Sequence, residues 1–363
     1  MGSMSIDLTD LIRILPKDID AAIITDPFNR RYFTGFSGDS GVLIVTRNGS
    51  VFLTDSRYIE AAQASVDCCD VVLLTDEKQQ VAQYLRRFNS SAVTVEADYF
   101  TVSKLRDYGK MFKAEGFNAV FDGRLDKCMR FLRSTKSLHE VRSIKAAQHI
   151  AEQAYNHAIR FIKPGLTERE VALALDFYML RHGAEAVSFD TIVVSGVNSS
   201  RPHGVPTDKK IAFGEFVTMD FGAVVNGYHS DMTRTVAVGE VNDTMADIYS
   251  IVLEAQEAAI RTVQPGALSS GVDLAAREVI ERAGYGESFG HSTGHGVGLE
   301  VHESPSVSAK STAILREGNV ITAEPGIYLP GQFGVRIEDM LLVTDEGCEN
   351  LTNVEKELTV LNN

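Results

Sequence analysis

One stretch of the chain, residues 216–236, reads FVTMDFGAVVNGYHSDMTRTV. Apolar and polar side chains alternate on either side of its centre, which is the period of a β-strand. The central dipeptide Asn226-Gly227 is typical of a two-residue hairpin turn. The pattern therefore predicts an antiparallel hairpin in which Asp220 faces Thr233.

The predicted hairpin places two carboxylates, Asp220 and Asp231, on one face at diagonal positions, roughly 7–8 Å apart. If both were buried without a partner they would repel each other, and a cation between them would remove that cost. The alternative is an exposed polar face with two ordinary aspartates. The hairpin alone does not choose between these two interpretations.

A glycine-rich segment farther along, GHSTGHGVG at 290–298, carries His291 and His295, and His302 follows it. Glycines disfavour a helix here, so we expect a tight loop whose backbone approaches another group closely. Histidines clustered in such a loop are harder to explain as surface or core residues than a single histidine. The segment therefore predicts part of a functional site.

Two glutamates, Glu324 and Glu338, each lie in an apolar strand pattern. They occupy the places in the second half of the chain that the two aspartates occupy in the first. With His295 these groups make four carboxylates and one imidazole, whose formal charge balances two divalent cations. Such an oxygen-rich set indicates a two-metal site for Mn²⁺, Co²⁺ or Zn²⁺ and argues against a structural zinc held by thiolates. The chemistry implied is hydrolysis by a hydroxide that bridges two metals.

The chain also repeats itself, because seven residues between 164 and 183 recur in type 101 positions later, between 265 and 284. Each copy describes a helix end, a Pro-Gly turn and a second helix closed by glycine. Thr167 with Glu170 forms a predicted capping box in the first copy. We interpret the repeat as two related halves packed face to face, with a site between them.

Composition limits the classes of protein that this chain can be. It has 363 residues, 44% of them hydrophobic, and a formal net charge of −14. The length indicates more than one domain, and the excess of acid argues against binding to nucleic acid or to anionic membranes. Four cysteines without a CxxC pair suit a reducing cytoplasm. Neither a signal peptide nor a membrane span is expected.

Short β-branched runs in the first third of the chain predict buried strands, with helical segments such as 79–88 between them. The runs are 21–24, 41–45, 51–53 and 71–74. Apolar residues then recur at helical spacing from 137 to 162, which predicts a long helix that opens a second domain. We expect a smaller α/β domain at 4–128 and a catalytic domain at 129–363.

The whole pattern resembles the pita-bread metallopeptidases. The resemblance rests on five residues in characteristic DFGA, SDMTRT, GHGVG and EPGIY contexts: Asp220, Asp231, His295, Glu324 and Glu338. Residues 29–36 (NRRYFTGF) and 54–58 (TDSRY) resemble the N-terminal domain of the aminopeptidase P, prolidase and creatinase branch. The fold implied is α/β (α+β), a pita-bread domain with pseudo-two-fold halves preceded by a smaller α/β domain.

The resemblance implies a dinuclear metallo-exopeptidase that acts on small peptides with proline at the second position. Two Mn²⁺ ions are expected, with Co²⁺ or Zn²⁺ as alternatives, and the assembly implied is a homodimer. Asp220 and Asp231 would hold one metal, and His295 and Glu324 would hold the other. Asp231 and Glu338 would bridge the two.

The resemblance also implies roles for side chains around the metals. Substrate contacts are expected from His203, His291, His302, Tyr328 and Arg336. His203 and His302 would hydrogen-bond the substrate backbone or the tetrahedral oxyanion, and Glu324 would carry a proton. His291 would line the proline pocket, and Arg336 would support the site near Tyr328.

Two other interpretations are compatible with the fold. Creatinase-like members of the fold work without metal, and some pita-bread domains bind peptides without catalysis. Retention of all five ligands argues against both. Among true peptidases, a dipeptide-only prolidase and an aminopeptidase P that takes longer peptides share these sequence signals, so that choice stays open.

Overall fold

The structure is a computed structural model that describes residues 7–362 of the chain. It divides into two compact units, Met1–Arg133 and Ser134–Asn363. The domain limits predicted from the sequence, 4–128 and 129–363, stay a prediction. Residues 4–6 of the predicted first domain and residue 363 of the second lie outside the described residues.

The first unit is a six-stranded mixed sheet with helices between its strands. Its strands are β1 (Ala21–Ile24), β2 (Val42–Thr46), β3 (Gly49–Thr54), β4 (Asp70–Leu73), β5 (Ala92–Val95) and β6 (Asn118–Val120), in the order β4-β3-β2-β1-β5-β6. Its helices are α1 (Leu8–Ile14), α2 (Pro27–Thr34), α3 (Ile59–Ser65), α4 (Glu77–Arg87), α5 (Val102–Glu115) and α6 (Arg124–Ser134). The central strands are buried on both faces, as their continuous apolar runs require.

One strand prediction in this unit is only half right. Residues 71–73 of the predicted run 71–74 lie in strand β4, but β4 is at the edge of the sheet and its four residues are exposed or half-buried. An apolar run does not reveal how many neighbours a strand will have, because the order of strands is set by contacts distant in sequence.

A buried carboxylate in this unit makes its stability depend on pH. Glu96 is 1% exposed and accepts hydrogen bonds from the amides of Thr25 (2.6 Å) and Asp26 (2.8 Å) and from Asn29 Nδ2 (2.8 Å). Burial raises the pKa of Glu96 from 4.5 to about 7, although these hydrogen bonds oppose the shift.

We expect the contribution of Glu96 to the free energy of unfolding to be fully present below pH 4.5 and lost as the pH rises through about 7. The unfolded chain ionises first, so the folded state holds the extra proton between these values, and the loss is about 3 kcal/mol. Denaturant unfolding at several pH values should show a decline that Glu96→Gln removes. Parallel pH profiles for the two proteins would contradict the expectation.

The second unit contains the repeat, and its helices fulfil the prediction of two related halves in detail. The helices are α7 (Leu138–Phe161), α8 (Glu168–Arg181), α9 (Asp243–Thr262) and α10 (Ser269–Arg282). Helix α8 therefore begins and ends 101 residues before α10. Both side chains of the predicted capping box, Thr167 and Glu170, make their reciprocal hydrogen bonds. Each helix pair packs on its own apolar core.

The strands of the second unit form four sheets. They are β7 (Ala186–Val187), β8 (Ile192–Ser195), β9 (Glu215–Phe221), β10 (Ala223–Val225), β11 (Tyr228–His229), β12 (Met232–Val238), β13 (Gly294–Gly296), β14 (Glu303–Val307), β15 (Val320–Ala323), β16 (Gly326–Leu329), β17 (Phe333–Arg336), β18 (Asp339–Val343), β19 (Cys348–Asn350) and β20 (Val360–Leu361). The orders are β20-β12-β9-β8, β14-β13-β15-β18-β19, β11-β10-β7 and β16-β17. The first two sheets carry the candidate site.

The hairpin forms in the predicted register. Asp220 in β9 faces Thr233 in β12, and Val225 faces Tyr228 next to the turn. Asn226 and Gly227 have positive φ angles of 52° and 79°, as a type I′ turn requires. The hairpin nevertheless splits at Gly222, so that its tip (β10 and β11) joins β7 in a separate small sheet. Among residues 7–362, no helix is both long and apolar enough to cross a bilayer.

Candidate metal centre

Five acidic or imidazole side chains meet where the two halves of the second unit face each other. Asp220 lies in β9 and Asp231 directly precedes β12, whereas the other three come from the second half: His295, Glu324 and Glu338. Glu324 follows β15 and Glu338 precedes β18, so both glutamates lie at strand ends and not within strands as predicted. At a strand end the backbone is free to turn, which lets a long side chain reach inward.

His295 lies in the short strand β13, where the sequence predicted a loop. The neighbouring glycines explain the difference. A Cβ at Gly294 would clash with the carbonyl oxygen of Thr322, and one at Gly296 would clash with that of Ser304. The expected close approach of the backbone is therefore real, but its partners are the adjacent strands.

Three of the five side chains bring ligand atoms together tightly. One atom each from Asp231, His295 and Glu338 lies within 4.8 Å of the others, a spacing that could hold a metal ion. Glu324 joins this group through its Oε1 atom, 3.3 Å from His295 Nε2. His295 Nε2 is also 3.6 Å from Asp231 Oδ2. The imidazole therefore lies between two carboxylates from different halves.

Asp220 completes the group with one occupied and one unoccupied oxygen. Its Oδ2 atom accepts a hydrogen bond of 2.6 Å from Arg336 Nη2. Its Oδ1 atom is buried and has no hydrogen-bond partner among the described residues. A buried carboxylate oxygen without a donor is costly, and a cation is the partner that would satisfy it. The residues therefore fit a hard divalent metal.

The electrostatics of the cluster lead to the same conclusion. Burial, followed by repulsion from neighbouring carboxylates, raises the pKa values of Asp231 and Glu338 well above their usual range. Burial also raises the pKa of Asp220, although Arg336 opposes the shift. Burial disfavours the charged form of His295, but its contact with Glu324 raises the pKa of the imidazole overall. Negative charge is thus concentrated beyond what one arginine offsets.

A set of hydrogen bonds behind these candidate ligands fixes their orientation. Thr233 Oγ1 donates to Glu338 Oε2 at 2.7 Å and accepts from Arg336 Nε at 3.1 Å. Arg336 Nη1 donates to the hydroxyl of Tyr328 at 2.8 Å, and that hydroxyl lies 2.9 Å from His291 Nε2. Sequence reasoning overlooked Thr233 as a site residue, although its place opposite Asp220 in the predicted hairpin is a usable signal.

These side chains open into a cavity of about 570 Å³, within the range of small-molecule sites. The three other histidines predicted for the site, His203, His291 and His302, all line it. Tyr328 is 7% exposed and lies behind His291. Burial lowers the pKa values of His291 and His302, which favours the neutral imidazole. Sequence reasoning did not anticipate several wall residues, among them Phe189, Asp190, Ile192 and Ser306.

Comparison with known proteins agrees with the geometry. Residues 142–345 match metallopeptidase family M24, and residues 13–122 match the creatinase/prolidase N-terminal domain. An uncharacterized peptidase of Bacillus subtilis, YqhT, is 41% identical over 94% of this chain and 96% of its own length.

Two solved structures are similar over nearly their whole length. A Xaa-Pro dipeptidase from Bacillus anthracis superposes with a TM-score of 0.92 at 40% identity, covering 98% of this chain and 99% of its own. An X-Pro aminopeptidase from Thermotoga maritima superposes with a TM-score of 0.88 at 36% identity, covering 96% and 99%. The chain therefore belongs to metallopeptidase family M24 and carries a creatinase/prolidase N-terminal domain ahead of its peptidase domain.

Proposed function

We propose that this enzyme hydrolyses the peptide bond between an N-terminal residue and a following proline, with two divalent metal ions in the described centre. The observation that carries the proposal is the cluster of Asp231, His295 and Glu338, because its ligand atoms come from both halves and line a substrate-sized cavity. The names of the two similar structures support the choice of a Xaa-Pro substrate.

In this proposal Asp220 and Asp231 would hold one metal, His295 and Glu324 would hold the second, and Asp231 and Glu338 would contribute to both. Four carboxylates then balance two divalent cations. The oxygen-rich ligand set suits Mn²⁺, with Co²⁺ or Zn²⁺ as substitutes. When bound, such ions supply Lewis acidity and lower the pKa of water toward neutrality.

The remaining chemistry belongs to side chains of the chain itself. His203 and His302 reach the cavity and donate hydrogen bonds to the substrate carbonyl oxygen as negative charge develops on it. Burial and the neighbouring His295 lower the pKa of His302, so its neutral ring serves as a donor without carrying charge. The Glu324 carboxylate accepts a proton from the attacking water and delivers it to the proline nitrogen.

The chemistry of the bond before proline determines how the enzyme must recognise it. A bond before proline is a tertiary amide without an N–H group, so the enzyme must recognise the ring itself. In the proposed pocket the ring packs beside His291, whose imidazole contacts Phe289 edge-on at a centroid distance of 5.1 Å. The hydrogen bond to Tyr328 holds that imidazole in place.

Peptide hydrolysis assays with Mn²⁺-loaded enzyme test the proposal. We expect turnover of Leu-Pro or Leu-Pro-Xaa. The matched peptides with alanine in place of proline should have at least about 100-fold lower kcat/KM, since alanine lacks the ring that fills the pocket. Equal turnover of the proline and alanine series would contradict the proposed specificity.

The same assay series decides between the two peptidase types. The dipeptidase from Bacillus anthracis supports a preference for dipeptides, and the aminopeptidase from Thermotoga maritima supports longer substrates. Activity confined to Leu-Pro identifies a prolidase, whereas comparable kcat/KM for Leu-Pro-Xaa and longer peptides identifies an aminopeptidase P.

A further inference from the structure

A single buried carboxylate closes the loop that carries His203. Glu168, the first residue of α8, is fully buried. Residues 195–207, here called the His203 loop, begin and end beside its carboxylate. Its carboxylate accepts hydrogen bonds from three residues at or near the two ends of this loop: Ser195 N (2.7 Å) and Oγ (3.0 Å), Asn198 Nδ2 (3.1 and 3.2 Å), and Thr207 N (3.0 Å) and Oγ1 (2.6 Å). Compact loops with joined ends are often functional.

The far side of the His203 loop contacts the metal centre. Pro202 offers its carbonyl oxygen to Arg336 Nη1 at 3.3 Å, and Arg336 holds Asp220. Ser199 Oγ accepts a hydrogen bond of 2.9 Å from the amide of Gly334, in the strand that carries Arg336. His203 itself lines the cavity. The loop is therefore held by Glu168 at its ends and by strand β17 near the site.

The repeat supplies an internal comparison. The residue equivalent to Glu168 is Ser269, the first residue of α10 and likewise fully buried. The Ser269 hydroxyl has no hydrogen-bond partner among the described residues. A helix at this place in the fold therefore forms without a carboxylate that gathers a loop. The carboxylate is needed where the first half differs from the second, at the loop that carries His203.

We propose that Glu168 is a positioning residue for catalysis, which fixes the His203 loop so that His203 meets the substrate carbonyl. The inference rests on the proposed function for the role of His203. A carboxylate suits this place because the groups around it all donate N–H or O–H hydrogen bonds, six in total, and an ionised carboxylate can only accept. An amide would direct its NH₂ group against one set of these donors, and the shorter Asp side chain would not span both ends.

Glu168→Gln is the direct test, with Glu170→Gln as a matched control. Glu170 lies in the same first turn of α8 but is exposed, and among residues 7–362 its hydrogen bonds outside the helix ladder are those with Thr167 in the capping box. For the Mn²⁺-loaded enzyme acting on Leu-Pro, we expect Glu168→Gln to lower kcat by about 100-fold, since a displacement of ~1 Å costs that much. Metal content and KM should change little, and Glu170→Gln should leave kcat unchanged.

A double-mutant comparison separates positioning from general destabilisation. In a His203→Ala background, Glu168→Gln should lower kcat by less than about threefold, because the group that it positions is already gone. A reduction equal to that in the unmodified enzyme would overturn the inference. Should Glu168→Gln not fold, Thr207→Val removes one bond to the carboxylate, and Thr207→Ser should restore the kcat that Thr207→Val loses.

Hydrogen–deuterium exchange gives a measurement that is independent of activity. Glu168→Gln should raise the exchange of amides in the His203 loop, particularly those of Ser195 and Thr207, while strand β15 stays protected. Unchanged protection of the loop would contradict the positioning role of Glu168 and would leave the proposed function standing. Absence of Xaa-Pro hydrolysis by the unmodified enzyme would instead count against the proposed function, so the two failures can be told apart.

Discussion

Removal of divalent metal by a chelator should abolish hydrolysis of a Xaa-Pro peptide, and addition of Mn²⁺ or Co²⁺ should restore it. The reason lies in the charges of the centre, since buried Asp220 Oδ1 lacks a donor and the pKa values of Asp231 and Glu338 are raised by burial and mutual repulsion. Without a cation the cluster has neither its charge balance nor its Lewis acid. Activity assays with metal analysis before and after dialysis measure the effect.

Mg²⁺ and Ca²⁺, added at the same concentration, are controls for non-specific effects of charge. Full activity after the metal content has fallen below one ion per ten chains would exclude the metallopeptidase mechanism. Metal-independent hydrolysis of creatine would move the enzyme to the creatinase-like class.

Asp231→Asn should lower kcat/KM by well over about 100-fold, because even residues that merely orient a metal ligand contribute 10- to 100-fold. Asp231 is 4% exposed, and its carboxylate lies among ligand atoms from the second half. The asparagine keeps the shape but removes the charge and one ligand oxygen. Kinetics on Leu-Pro and metal content per chain measure the two losses together.

Asp345→Asn makes the same chemical change on an exposed turn and should leave both quantities unaltered. Retention of full Xaa-Pro hydrolysis and of two metals per chain by Asp231→Asn would contradict the two-metal proposal.

Local patterns in the sequence predict much of this fold because their physical causes are local. The register of the hairpin follows from the two-residue turn at Asn226 and Gly227, which leaves no freedom in pairing. The repeated helices follow from periodicity and Pro-Gly turns, and α8 also from its capping box, all within a few residues of each boundary. The candidate ligands were accessible for the same reason, since the four carboxylates each interrupt an apolar strand pattern and His295 lies in a glycine-rich segment.

Other features depend on contacts between distant segments and were not predictable in this way. The exposure of β4 follows from its place at a sheet edge, and the strand conformation at His295 follows from partners on both sides. Glu168 resembles any acidic residue in the first turn of a helix. Only the folded chain brings Ser195 and Thr207 to its carboxylate.

The division of the ligands between the two halves of the repeat has a thermodynamic consequence. Asp220 and Asp231 come from one half and His295, Glu324 and Glu338 from the other, so cations held by all five as proposed would act as a non-covalent cross-link between the halves. The free-metal concentration would then add to the free energy of unfolding of this domain, by about 2.7 kcal/mol when it exceeds the dissociation constant 100-fold. Metal supply would thereby set the stability of the domain as well as its chemistry.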